Sequence, residues 1–99
     1  MIYEIAELYI KPDAHDAFQA GVAEAVPLFK AATGCLSMRL DRDIETPDTY
    51  HLVIGWRTLE NHTVDFRGSP AFQSWRGLVG SYFATPPKVE HFETVVAGF

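Results

Sequence analysis

The sequence predicts an α+β fold: a four-stranded antiparallel sheet with helices packed on one face. Three observations carry this. Stretches of period two and of helical period alternate in the order β-α-β-β-α(α)-β. Pro, Gly and Asp clusters punctuate the joins. The chain has only 99 residues, yet 47% are apolar and 13% aromatic, which is high for one small core and points to apolar surface buried against a second copy.

Residues 2–11 alternate as a strand. Ile2, Glu4, Ala6, Leu8 and Ile10 fall on one face, and Tyr3, Ile5, Glu7, Tyr9 and Lys11 on the other. Both faces are largely apolar, so neither is expected to be fully solvated. Pro12 ends the strand, and Asp13 is the expected N-cap of a helix with Asp16 in its first turn. Phe18, Val22, Val26 and Phe29 form its apolar stripe. Pro27 interrupts that pattern and predicts a kink or a restart. Gly34 follows as a left-handed C′ residue.

Residues 35–44 predict a second strand, with Leu36, Met38 and Leu40 buried and Ser37, Arg39 and Asp41 outward. Glu45-Thr46-Pro47-Asp48 is turn chemistry. Residues 49–57 predict the third strand, with Tyr50, Leu52, Ile54 and Trp56 on one face. Two short helices follow. Leu59, His62 and Phe66 share the apolar face of the first, with Arg67 beside them. Gly68-Ser69-Pro70 breaks the run, with Ser69 as N-cap and Pro70 at the first helical position. Phe72, Trp75, Val79 and Tyr82 or Phe83 line the second. After Thr85-Pro86-Pro87, residues 88–96 predict the last strand. This order is the ferredoxin-like split βαβ pattern, one domain over residues 1–99. Pairing of two sheets face to face would cover the second apolar face.

Composition excludes several functions. The net charge is −5 and no Lys/Arg run occurs, so the clustered cations that bind a phosphate backbone are missing. Cys35 is the one cysteine, which leaves no disulfide framework. The N-terminal MIYEIAELYIKP carries acids where a signal peptide needs a basic region, and no segment reaches the ~18 apolar residues of a spanning helix. These features predict a cytoplasmic protein that binds neither nucleic acid nor membrane. The four His show no His-x-x-x-His spacing, so no metal site is expected.

The strand ending HLVIGW, the segment ENHTVDFRGSPAFQSW and the closing PPKVEHFE resemble the antibiotic biosynthesis monooxygenase family of the dimeric α+β barrel superfamily, over roughly Met1 to Val96. The resemblance implies a homodimer whose two sheets form a barrel, with a cleft between helices and sheet in each subunit. It also implies oxidation of phenolic or quinol-type aromatics without metal or flavin. A related branch degrades haem with an Asn on the first strand, a Trp at the end of the third and a His on the next helix. Trp56 matches that Trp. The first strand here has no Asn, and Phe66 stands where the helix His falls, with His62 one turn earlier.

Within that frame His62 is the expected proton acceptor, because an imidazole exchanges protons near neutrality. Trp56, Phe66, Trp75 and Tyr82 are the expected apolar contacts for a small aromatic substrate, and Arg67 an anion stabiliser. The leading function is a cofactor-independent monooxygenase. A non-catalytic dimeric barrel that binds a small ligand or a partner, and a haem-binding or haem-degrading protein, are the two alternatives.

Overall fold

The computed structural model describes residues 1–99. Strand β1 (Ile2–Tyr9) leads to helix α1 (His15–Lys30), then to the hairpin β2 (Cys35–Arg42) and β3 (Thr49–Trp56). A π-helical turn (Asn61–Phe66), helix α2 (Pro70–Val79), a 3-10 turn (Gly80–Tyr82) and strand β4 (Lys88–Glu93) complete the chain. The sheet order is β2-β3-β1-β4, antiparallel throughout, which is the α+β ferredoxin-like arrangement the element order predicts.

The helices cover the face carrying Ala6, Leu8, Tyr50, Leu52, Ile54 and Trp56. Phe18, Val22, Ala25 and Phe29 of α1 and Trp75 and Val79 of α2 close the core from above. Phe29 stacks on Phe66 and meets Trp75 edge-on, which ties α1, the π-helical turn and α2 together. On the opposite face Val53 is buried, Tyr3 and Ile5 are half-buried and Phe92 is exposed.

Several local details differ from the sequence pattern. Leu36 is exposed, because a β-bulge between Cys35 and Ser37 removes it from the register that aligns Met38 with Ile54 and Leu40 with Leu52. Helix α1 starts at His15 rather than after an Asp13 cap, because a Lys11–Ala14 backbone turn delays it. It runs on through Pro27, and Val26 faces outward while Gly21 and Ala25 face the core. Ser69 precedes α2 but does not cap it: its hydroxyl donates to the Phe66 carbonyl at 2.6 Å. Strand β4 ends at Glu93, leaving Val95 and Val96 exposed.

Gly34 has φ +75°. A Cβ there would also run into the Asn61 amide. That amide matters, because Thr58 and Asn61 bond each other's backbone N–H reciprocally, at 3.1 and 3.2 Å, and so fix the start of the π-helical turn. Gly34 therefore lets the loop before β2 close onto the element that carries His62.

Candidate active site

A carboxylate on the core face of a strand is costly to desolvate unless it is partnered or protonated. Glu4 is such a residue, 6% exposed among the apolar side chains of β1. The register explains its neighbours. Glu4 lies opposite Ile54 on β3 and opposite His91 on β4, and Trp56 follows two residues along the same face. The Trp56 indole N–H donates to Glu4 Oε1 at 3.0 Å.

His62 is lowered onto this cluster by the π-helical turn, in which the Arg67 N–H bonds back five residues to the His62 carbonyl. The turn has no counterpart in a simple helical reading, yet it still directs both His62 and Phe66 toward the sheet. The imidazole lies nearly parallel to the Trp56 indole, 5.4 Å between centroids at 17°. Its Nε2 is 3.3 Å from Glu4 Oε1 and its Nδ1 is 2.8 Å from His91 Nε2. Four side chains from four elements thus form one chain of polar contacts, and every buried side-chain polar atom has a partner.

Burial dominates the proton affinities. It raises Glu4 from the usual carboxylate value to about 7, against the smaller opposing effects of the Trp56 hydrogen bond and the Arg67 charge. Burial, then the Arg67 and His91 charges, lower His62 to about 4. His91 is lowered by burial and by Arg67. At neutral pH the pair is therefore a neutral imidazole beside a half-protonated carboxyl, not an imidazolium–carboxylate ion pair.

Glu4 and His62 open onto a cavity of about 570 Å³ between the sheet, α2 and the segment leading to β4. Its apolar wall includes Leu8, Leu52, Phe72, Trp75, Phe83 and Val89, and Arg67 and Arg76 bring the cationic groups. Arg76 also lies over the Phe72 ring at 5.9 Å. This combination, an apolar slot with few polar groups converging at one place, suits a small aromatic ligand.

The structure brings His62, Arg67 and Trp75 together at this cavity. It places three of the expected wall residues, Trp56, Phe66 and Tyr82, elsewhere. Trp56 is 0% exposed behind Glu4 and His62, and Phe66 is 3% exposed between Phe29, Trp56 and Phe72. Both lie on the core side of the cluster, where their stripes bury them. Tyr82 is half-buried against the core, and its neighbour Phe83 lines the cavity. Sequence reasoning passed over Glu4. The signal was present, as one acid inside an otherwise apolar strand stripe, and only the β1–β4 register reveals its partners.

Comparison with known proteins follows the same lines. The chain matches the model for antibiotic biosynthesis monooxygenase over residues 1–78. It is 35% identical over 95 residues to the uncharacterised protein YczJ of Bacillus subtilis (strain 168), covering 96% of this chain and 100% of that one. A crystal structure from Bordetella bronchiseptica, described as a "Putative antibiotic biosynthesis monooxygenase", is 50% identical with a TM-score of 0.94, covering 96% of this chain and 97% of that one. Rv0793 from Mycobacterium tuberculosis shares the fold at 23% identity and a TM-score of 0.81, over 99% of this chain and 98% of that one. No helix is long and apolar enough to cross a membrane.

Proposed function

Because the chain belongs to the antibiotic biosynthesis monooxygenase family, we propose that it is a cofactor-independent monooxygenase acting on a small phenolic or quinol-type aromatic. The observation that carries this reading is the buried Glu4–His62 pair on the wall of a largely apolar cavity. A phenol ionises near pH 10, so an ordinary carboxylate is a poor base for it. Burial raises Glu4 from 4.5 to about 7. That narrows the mismatch by about 2.5 units, or ~3 kcal/mol of proton-transfer free energy. His62 is too weak a base to keep the proton, so the pair accepts it with the charge change centred on Glu4.

The phenolate formed is electron-rich enough to react with O₂ directly. In an anthrone-like substrate SH₂ the balance is SH₂ + O₂ → S=O + H₂O. The substrate's methylene carbon gives up four electrons. One oxygen atom ends in the new carbonyl and the other in water. Arg67, on the cavity wall, stabilises the developing anion. Phe72, Trp75 and Phe83 hold the rings.

The same reading includes a homodimer formed through the second sheet face, where Tyr3 lies opposite Phe92 and Ile5 opposite Val53. Light scattering at micromolar concentration is expected to give twice the 11.1 kDa chain mass, and a monomer would contradict it. For the activity, oxygen uptake is followed with a panel of hydroquinones and anthrone-like phenols. The reading expects uptake above the buffer rate for at least one of them and loss of it in His62→Ala. Wild-type protein no faster than buffer across the panel overturns the reading.

A further inference from the structure

We infer that His91 completes a proton relay, in which a proton taken by Glu4 leaves for solvent through His62 and then His91. The inference rests on the proposed proton abstraction at Glu4, and it assigns a role to a residue that lies outside the cavity wall.

The geometry is specific. His62 presents one ring nitrogen to Glu4 Oε1 at 3.3 Å and the other to His91 Nε2 at 2.8 Å. A neutral imidazole has one donor and one acceptor nitrogen. Its two contacts here therefore point in one direction or the other along the chain, never both inward. His91 is only half-buried on β4, opposite Glu4 in register, so the outer end of the chain reaches the surface. Glu4 itself is enclosed by Trp56 from β3, by His62 and Arg67 from the π-helical segment, by His91 from β4 and, at longer range, by Cys35 of β2. Among these groups, His62 and His91 form the chain of short contacts that leads from Glu4 toward the surface.

The transfer balances as follows. With Glu4 protonated, its O–H donates to His62 Nε2, the His62 Nδ1–H donates to His91 Nε2, and His91 Nδ1–H faces water. The Glu4 proton moves to His62 Nε2 as the His62 Nδ1 proton moves to His91 Nε2 and the His91 Nδ1 proton passes to water. Glu4 is left as a carboxylate accepting from His62 Nε2–H, both rings are again neutral, and one proton has reached solvent. No stable imidazolium forms, which suits a ring that burial and Arg67 hold neutral. A merely structural His91 would hold one fixed tautomer.

Two measurements test this. In ¹⁵N-histidine-labelled protein, NMR reads the tautomer of each ring without any substrate. His62 and His91 are expected to invert together as Glu4 titrates, and to stay fixed in Glu4→Gln. Tautomers that hold constant in the wild type while Glu4 titrates overturn the relay, whether or not the protein turns over a phenol. In oxygen uptake, His91→Ala is expected to lower kcat about a hundredfold with KM little changed. Added imidazole should restore part of that rate, and His91→Gln, which hydrogen-bonds but cannot relay, should not. Full activity in His91→Gln overturns the relay while leaving proton abstraction at Glu4 intact. Coupled inversion in an inert wild type would instead retain the relay and remove the monooxygenase reading.

Discussion

Replacing Glu4 with Gln should change how stability depends on pH, and the direction separates a neutral Glu4–His62 pair from an ion pair. The Glu4 carboxyl ionises at about 7 in the folded protein against an ordinary value of 4.5. The folded state therefore holds a proton that the unfolded chain has released. The stabilising contribution is full below the unfolded value and is lost as pH rises through the folded one, a total of ~3 kcal/mol. That is a large share of the ~5–15 kcal/mol that holds a domain folded. His62 acts in the opposite sense: with a folded value of about 4 against 6.5, its contribution is lost as pH falls through that interval. The two linkages nearly cancel between 4.5 and 6.5 in the wild type, so only the variant exposes them. Neither shift draws on the partner's charge, so the His62 shift survives the substitution. Urea unfolding, followed by Trp56 and Trp75 fluorescence at a series of pH values, gives the stability difference. Glu4→Gln is expected to gain on the wild type by ~3 kcal/mol as pH rises from about 4 to about 8. A constant difference would mean that Glu4 titrates alike in the folded and unfolded protein, and one of opposite slope that it is ionised in the folded protein and paired with a cationic His62; either contradicts the neutral pair.

Other substitutions probe the same cluster and its frame. Trp56→Phe removes the indole N–H from Glu4 while keeping most of the ring area, so Glu4 should titrate higher still and stability should fall by ~1–3 kcal/mol; carboxyl NMR and urea titration read the two effects. Arg67→Ala removes a charge that lowers all three groups, so the midpoints of Glu4, His62 and His91 should all move up in NMR titrations. Phe66→Ala should cost ~3–5 kcal/mol in thermal or urea unfolding, because Phe66 is buried core that joins α1, α2 and the sheet.

Much of the fold could be read from the sequence because its elements obey simple periods. The stripes of β1 and β3 and the Ser69-Pro70 restart are local signals, and each falls where it is expected; Gly34 takes the expected left-handed conformation, but α1 stops earlier, at Lys30 with Ala31 as its C-cap. The departures arise where backbone geometry breaks the period. The bulge beside Cys35 turns Leu36 out of the core, and no residue type there announces it. In α1 the small residues Gly21 and Ala25, rather than Val26, sit under the neighbouring elements, because close approach favours little side chain. The site was less legible for a related reason. His62 was visible from its helical phase, but Glu4 and Trp56 are 52 residues apart and meet only through strand pairing. His91 could be placed on a strand, yet its partner depended on the β1–β4 register. The aromatic residues that looked like a ligand wall divide accordingly. Trp75 reaches the cavity, while Trp56 and Phe66 support the residues that do.

The most direct measurement of the central claim is the pH dependence of kcat/KM for oxygen uptake with a phenol that the wild type oxidises. The account expects the rate to rise with pH through an apparent pKa near 7, set by the Glu4–His62 pair, and Glu4→Gln to lose both the activity and that inflection. A profile without an inflection near 7, or a Glu4→Gln enzyme that keeps it, would contradict the assignment of proton abstraction to Glu4.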